Sequence, residues 1–306
     1  MDGLIDGLCV GHFTNTENGA KTGCTVVIAK KGAVGGVDVR GCAPGTRETD
    51  LLRPGNLVEK IHAVLLTGGS AFGLDAASGI MSFLEKKHIG FETGVAKVPI
   101  VVGAVIYDLF VGNPKIRPDF NAGVAACEDA FQPGPFSHTD TQVGVGAGAT
   151  VGKLLGPVNA EKSGIGFAQR PAGGANVAAL VAVNAYGDIY DKQGNIIRGC
   201  KMDGAYVNTV QALTEGDGNA QAGAFPVNTT IGVIMTDAKL TKVQANKLAS
   251  IGHNGLARAI RPVHTMQDGD TLFALATGLV DGDYAGILAI APDVVEDAIL
   301  NAVSEA

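Results

Sequence analysis

Asn228-Thr229-Thr230-Ile231-Gly232-Val233-Ile234-Met235 sets a polar threonine pair directly against an unbroken apolar run. A run without polar alternation predicts a strand covered on both faces, and therefore a sheet buried between layers. The stretches 24–29, 63–66, 101–106, 178–183 and 272–276 read as strands in the same way. Upstream of Thr229, residues 204–227 are rich in Gly, Ala, Asn and Gln and show no apolar period. They predict a long loop, and loops of that length are usually functional or disordered. A threonine where such a loop enters a buried strand suits a nucleophile freed by self-cleavage. Its hydroxyl would attack the Asn228 carbonyl, form an ester by acyl shift, and lose the upstream chain to water. The new α-amine, with an unperturbed pKa of roughly 7.7–8.0, then serves as the hydroxyl's own base. The plainer reading of a Thr pair is β-branched strand filler, and these residues alone do not separate the two.

Composition narrows the class. With 306 residues, 46% hydrophobic and 5% aromatic with no Trp, the chain builds a large core from Val, Ile, Leu and Ala. A net charge of −7 without a basic cluster argues against nucleic acid or an anionic membrane as partner. The start, Met1-Asp2-Gly3-Leu4-Ile5-Asp6, lacks the basic region and apolar core of a signal peptide. The most apolar window, 98–106, is too short to span a bilayer. Cys9, Cys24, Cys42, Cys127 and Cys200 contain no C-x-x-C, which predicts buried free thiols in a reducing cytoplasm. The six His are scattered without metal-ligand spacing, so no metal and no cofactor are expected.

Strand signals outnumber helix signals. A hairpin is predicted from 187–190 and 195–197, and a helix over 71–87. A second helix begins at Thr241, where Thr241 and Gln244 fit a capping box, and a third follows Pro292. No linker or repeat divides the chain, which predicts one layered α/β domain over 1–306, with sheets packed together and helices outside.

Several stretches carry chemistry. In Leu65-Leu66-Thr67-Gly68-Gly69-Ser70-Ala71-Phe72-Gly73, a nucleophile elbow would need Gly at 72, so Ser70 reads as a helix N-cap. The glycine-rich run from Gly144 to Lys153 is one residue too short for a phosphate loop, and Leu154 follows the Lys. It leaves a noncatalytic small-ligand or phosphate-binding protein as an alternative. Lys153 itself fits either a buried cation or a solvated surface residue. Asp268-Gly269-Asp270 presents two carboxylates to one side if extended, yet Asp281-Gly282-Asp283 repeats the triplet. Composition does not rank them.

Taken together, these stretches resemble the DmpA-type L-aminopeptidase/D-esterase family, and within it the nylon-oligomer hydrolase branch. The matching residues are Ala63 through Leu74, Ala104-Val105-Ile106-Tyr107-Asp108, Gly152-Lys153, Val183-Asn184, Asn228-Thr229-Thr230-Ile231 and His264 through Ala274. The resemblance implies cleavage between Asn228 and Thr229 into 1–228 and 229–306, with Thr229 as nucleophile. It places Asp268 and Asp270 beside that nucleophile, Lys153 as the cation of the site, Asn184 as a polarising donor and Tyr107 as a substrate-binding residue. The carboxylates would balance the charge of Lys153 and orient the Thr hydroxyl. The family further implies a four-layer αββα sandwich shared with ornithine acetyltransferases, cut chains that stay associated, and a tetramer of cleaved units. The expected activity is hydrolysis of a small amide or peptide, with acyl transfer of the ornithine acetyltransferase type as a second outcome.

Overall fold

The computed structural model describes residues 4–132, 140–216 and 228–304. Eight principal strands carry the architecture: β1 (Leu8–Asn15), β2 (Thr22–Val39), β3 (Lys60–Thr67), β4 (Val101–Val105), β5 (Ile165–Ala172), β6 (Ala175–Ala182), β7 (Ile231–Ala238) and β8 (Thr271–Val280). The helices are α1 (Ala76–Lys86), α2 (Phe120–Ala130), α3 (Thr209–Glu215), α4 (Lys242–Ala259) and α5 (Tyr284–Val303).

The long strand β2 belongs to two sheets. Its first part pairs antiparallel with β1 and with β3, from Cys24↔Thr67 to Ile28↔Ala63. Its register then slips between Ile28 and Ala33, around Gly32 at φ 70°. A bulge of this kind bends a strand. The far part pairs antiparallel with β8, from Val34↔Ala276 to Val39↔Thr271. One sheet therefore runs β1-β2-β3-β4, ending in the short strand Thr46–Arg47, and the other runs β2-β8-β7-β6-β5. The β3/β4 and β7/β8 pairs are parallel and their other neighbours antiparallel.

Side chains of each sheet alternate between a shared inner core and an outer core under its helices, as the period of a strand requires. Val27, Val64, Leu66 and Val102 face Leu180, Val233, Met235, Phe273 and Leu275 between the sheets. The outer face of the first sheet packs Val26, Ile28, Ala63 and Leu65 on Ala77, Ile80, Leu84 and Ala126 of α1 and α2. On the outer face of the second, Val177, Ile234, Leu272 and Ala274 meet Leu248, Leu256, Val295 and Ile299 of α4 and α5. The result is a four-layer αββα sandwich. Each fully buried aliphatic side chain contributes on the order of 1.5–3 kcal/mol, which is why unbroken apolar runs mark the central strands.

Local departures have local causes. The helix predicted over 71–87 opens with a 3-10 segment, Ser70–Asp75, before α1. Gly69 holds its cap position in place of Ser70, and Ser70 itself has φ 54°. Helix α5 starts at Tyr284 with Pro292 inside it, because Asp283 caps it by accepting from the N–H groups of Ala285 and Gly286. The stretch 204–227 is not wholly irregular: α3 forms within it, capped by Asn208, and residues 217–227 lie outside the described residues. Helix α4 carries the expected capping box. The five thiols are unpaired, but Cys42 is exposed and Cys9 half-buried, so only three are buried. Among the described residues, no helix is long and apolar enough to cross a membrane.

Candidate active site

Parallel strands start at the same edge of a sheet, so the N-terminal ends of β7 and β8 lie side by side. That pairing extends outward to a bridge between Asn228 and Asp268. Strand β6 runs antiparallel to β7, so its C-terminal end, followed by Val183 and Asn184, reaches the same edge. Lys153 is held beside the segment that follows β6, its N–H donating to the Tyr186 carbonyl at 2.9 Å. Five of the residues expected at a site, Lys153, Asn184, Thr229, Asp268 and Asp270, are thereby buried within one hydrogen-bonded neighbourhood.

The Asn228–Thr229 junction sits at its centre. The Thr229 hydroxyl donates to the Asn228 carbonyl oxygen at 2.5 Å. That oxygen also accepts the Gly269 N–H at 2.8 Å, and the Thr229 N–H donates to the Asn184 carbonyl at 2.9 Å. Asn184 is the hub. Its Oδ1 accepts from Lys153 Nζ at 2.7 Å and from the Thr150 N–H at 3.2 Å, while its Nδ2 donates to the Tyr107 carbonyl at 3.2 Å. Lys153 Nζ donates as well to the Asn184 carbonyl at 3.2 Å. Nζ and the Thr229 nitrogen therefore share one acceptor. Asn184 thus anchors the cation through Oδ1, and its Nδ2 group, with one N–H given to Tyr107, keeps a second donor for the polarising role expected of it.

The two carboxylates are held by the loop that precedes β8. Asp268 Oδ2 accepts from the N–H and hydroxyl of Thr265, both at 2.7 Å. Asp270 Oδ1 accepts the Thr230 N–H at 2.7 Å, and its Oδ2 lies 2.8 Å from His264 Nδ1. Neither binds the Thr229 hydroxyl or forms a salt bridge with Lys153, so their expected pairing with the cation acts through charge at a distance. Burial pushes the Lys153 ammonium down to about 7, opposed by the charges of Asp268 and Asp108. Burial, reinforced by Asp270, pushes the Asp268 carboxyl up to about 6. Both groups are thus shifted toward neutrality, the range in which acid–base work is most effective.

Other expectations fall elsewhere. Asp281 and Asp283 lie at the start of α5, away from this edge. The Gly144–Gly148 turn is filled by protein, since a Cβ at Gly144 would meet Thr25 Oγ1 at 2.2 Å and one at Gly148 would meet Asp108 Cβ at 2.6 Å. That packing leaves no cradle for a phosphate. Tyr107 contributes its carbonyl to Asn184, and its half-buried ring lies 5.9 Å from Phe110. Lys153 Nζ stands 5.6 Å from the Phe110 ring, so the two aromatics and the cation form one wall. Phe110, Gly269 and His264 were not singled out from sequence. The scarcity of aromatics could have marked Phe110, and the glycine of the Asp-Gly-Asp triplet could have marked Gly269.

The family model for peptidase family S58 matches residues 4–306. The chain belongs to that family. Relatives of the chain include an uncharacterized aminopeptidase of Mycobacterium leprae, 42% identical over an alignment of 287 positions that covers 90% of this chain and 78% of that protein. A 6-aminohexanoate-oligomer endohydrolase of a Kocuria species is 35% identical over 322 residues, covering 97% of this chain and 84% of that one. Among solved structures, the L-aminopeptidase D-Ala-esterase/amidase of Ochrobactrum anthropi, described as a variant of the Ntn hydrolase fold, superposes with a TM-score of 0.68. At 20% identity over 97% of this chain and 84% of that one, the likeness shows the fold. As an S58 member, the protein is an amide-bond hydrolase.

Proposed function

We propose that Thr229 is the nucleophile of a self-processing amide hydrolase, freed by cleavage of the Asn228–Thr229 bond into 1–228 and 229–306. One observation carries the reading: the Thr229 hydroxyl lies against the Asn228 carbonyl oxygen, which also accepts the Gly269 N–H. A hydroxyl beside the carbonyl of its own peptide bond is poised for an N-to-O acyl shift, and a backbone N–H aimed at the same oxygen stabilises the charge that develops there. In the cut enzyme the Thr229 amine remains beside the Asn184 carbonyl and Lys153 and takes the hydroxyl proton. The place vacated by the Asn228 acyl group receives the substrate acyl group. Attack by Thr229 expels the amine, and water then releases the acid.

Substrates in keeping with this site are small amides with a free amino end. The carboxylates of Asp268 and Asp270 attract an ammonium, and the Tyr107–Phe110 wall accepts an aliphatic or aromatic chain. The family's aminopeptidase and oligoamide hydrolase members fit that class. We further hold that the cut units assemble into a tetramer and act in the cytoplasm, in keeping with the unpaired thiols.

Denaturing electrophoresis with N-terminal sequencing tests the reading. Purified protein is expected as two fragments, the smaller beginning at Thr229, while Thr229→Ala stays intact and inactive. A cut at another bond, or full turnover by Thr229→Ala, would overturn it.

A further inference from the structure

We infer that His264 is a positioning residue for the self-cleaving junction: it holds the Asp270 carboxylate so that Oδ1 fixes the Thr230 amide and, with it, the Thr229 hydroxyl. The inference rests on the proposed role of Thr229. Asp270 Oδ2 is gripped twice by the same residue, by the His264 backbone N–H at 3.1 Å and by the ring at Nδ1, 2.8 Å away. Such a double grip needs the backbone to fold back on itself, and His264 has φ 57°. Left-handed backbone is unfavourable for a residue with a Cβ, and it persists where surrounding contacts enforce it. The other oxygen of the same carboxylate binds the Thr230 N–H, one residue beyond the nucleophile.

The ring is itself held in place. His264 packs edge-on against His253, with ring centroids 4.8 Å apart and planes at 66°. His253, wholly buried on α4, places Nε2 3.0 Å from the Asp38 carbonyl at the end of β2. A carbonyl only accepts, so His253 carries its proton on Nε2 and leaves Nδ1 bare. A carboxylate likewise only accepts, so His264 carries a proton on Nδ1. Its Nε2 and the Nδ1 of His253 have no hydrogen-bond partner among the described residues. Apolar rings would fill this space without burying unpartnered nitrogens, an arrangement that costs stability. What a phenyl ring could not supply is the donor toward Asp270. The chain Asp38–His253–His264–Asp270–Thr230 thus ties the junction to the long strand and to α4.

The experiment follows processing of freshly translated full-length chain by time-resolved electrophoresis, then kcat and KM of the mature enzyme. His264→Gly keeps the left-handed backbone and removes the donor. His264→Asn keeps both, since its Nδ2 occupies the position of Nδ1. Processing of His264→Gly should slow by about 10- to 100-fold, the effect of losing a hydrogen bond to a charged group. Its kcat should fall with KM little changed, and His264→Asn should recover most of the rate. Wild-type processing by His264→Gly, or equal loss in a folded His264→Asn, overturns the inference. If the glycine variant does not fold, His264→Asp replaces it, as like Asn in size and backbone tolerance but lacking the donor. Equal rates for Asn and Asp would then sink the proposal. Absence of any cut at Asn228–Thr229 in the wild type would instead overturn the role of Thr229 itself.

Discussion

The N–H of Gly269 points at the carbonyl oxygen of Asn228 from 2.8 Å, across the parallel pairing of β7 and β8. Only a glycine fits that approach. A Cβ at position 269 would stand 2.7 Å from the Ala43 carbonyl oxygen and 2.8 Å from Thr229 Oγ1. Gly269→Ala must therefore push the N–H and the hydroxyl off line. We expect self-cleavage to slow by on the order of 10²–10³, as for loss of an oxyanion donor. A gel time course reads this directly, and a folded Gly269→Ala protein that cuts at the normal rate would remove the N–H from the mechanism.

The two Asp-Gly-Asp triplets should separate cleanly. Asp268→Asn or Asp270→Asn removes a carboxylate from the junction and should impair self-cleavage or turnover. Asp283 caps α5, so Asp283→Ala should lower stability by about 1 kcal/mol and leave cleavage unchanged. Chemical denaturation alongside an activity assay distinguishes the two behaviours. Silent substitutions at both 268 and 270 would take the first triplet out of the site.

Lys153 should leave a signature in stability against pH. Burial lowers it from 10.5 to about 7 in the folded protein. Between those values the unfolded chain holds a proton that the folded chain has released, so this group makes stability rise with pH across that window. Below about 7 both states are protonated and the folded protein carries the full burial penalty of the ammonium. Lys153→Met should therefore lack that slope, and its stability relative to wild type should be greatest near pH 7 and decline toward pH 10. Urea melts at several pH values measure the difference. A constant gap across the range would mean the lysine is not perturbed by burial.

The same substitution should move the pH–rate profile. In mature enzyme the Thr229 amine must be neutral to take the hydroxyl proton, and a neighbouring ammonium favours the neutral form. Lys153 carries its charge below about 7, which is the range of the acidic limb of kcat/KM. Lys153→Met in processed enzyme should shift that limb to higher pH as well as reduce the rate. An unshifted limb would confine Lys153 to structure or substrate contact.

Much of this was legible because burial leaves a plain trace. The central strands read as unbroken apolar runs, and the Thr241–Gln244 capping box is a local pattern with a local consequence. The edge strands β1 and β5 were silent, since half-exposed segments such as Leu8–Asn15 mix apolar, polar and glycine residues. Pro292 misplaced the start of α5 because Pro favours a first turn, whereas here Asp283 begins the helix earlier. At the site, the residues alone left Thr229, Lys153 and the first carboxylate triplet open, and the family resemblance singled them out. Their partners were not singled out, since the grip of His264 on Asp270 depends on a left-handed turn. Gly269 meets Asn228 only because two distant strands run parallel, a pairing no local pattern encodes.

Strands β7 and β8 lie between β6 on one side and β2 on the other, with α4 and α5 closing over them. The two long strands that follow residue 228 are therefore wedged into the middle of the second sheet, like the centre planks of a floor whose outer boards come from the preceding chain. Severing the backbone after Asn228 would leave those ladders untouched. Prising the short piece out would mean tearing two ladders and two buried faces at once, which amounts to unfolding. The peptide bond before Thr229 would then matter as a tether while the chain is finding its shape, and no longer as a fastener once it has. Two separately made pieces would each begin with a hole or an orphaned pair of strands where the other belongs.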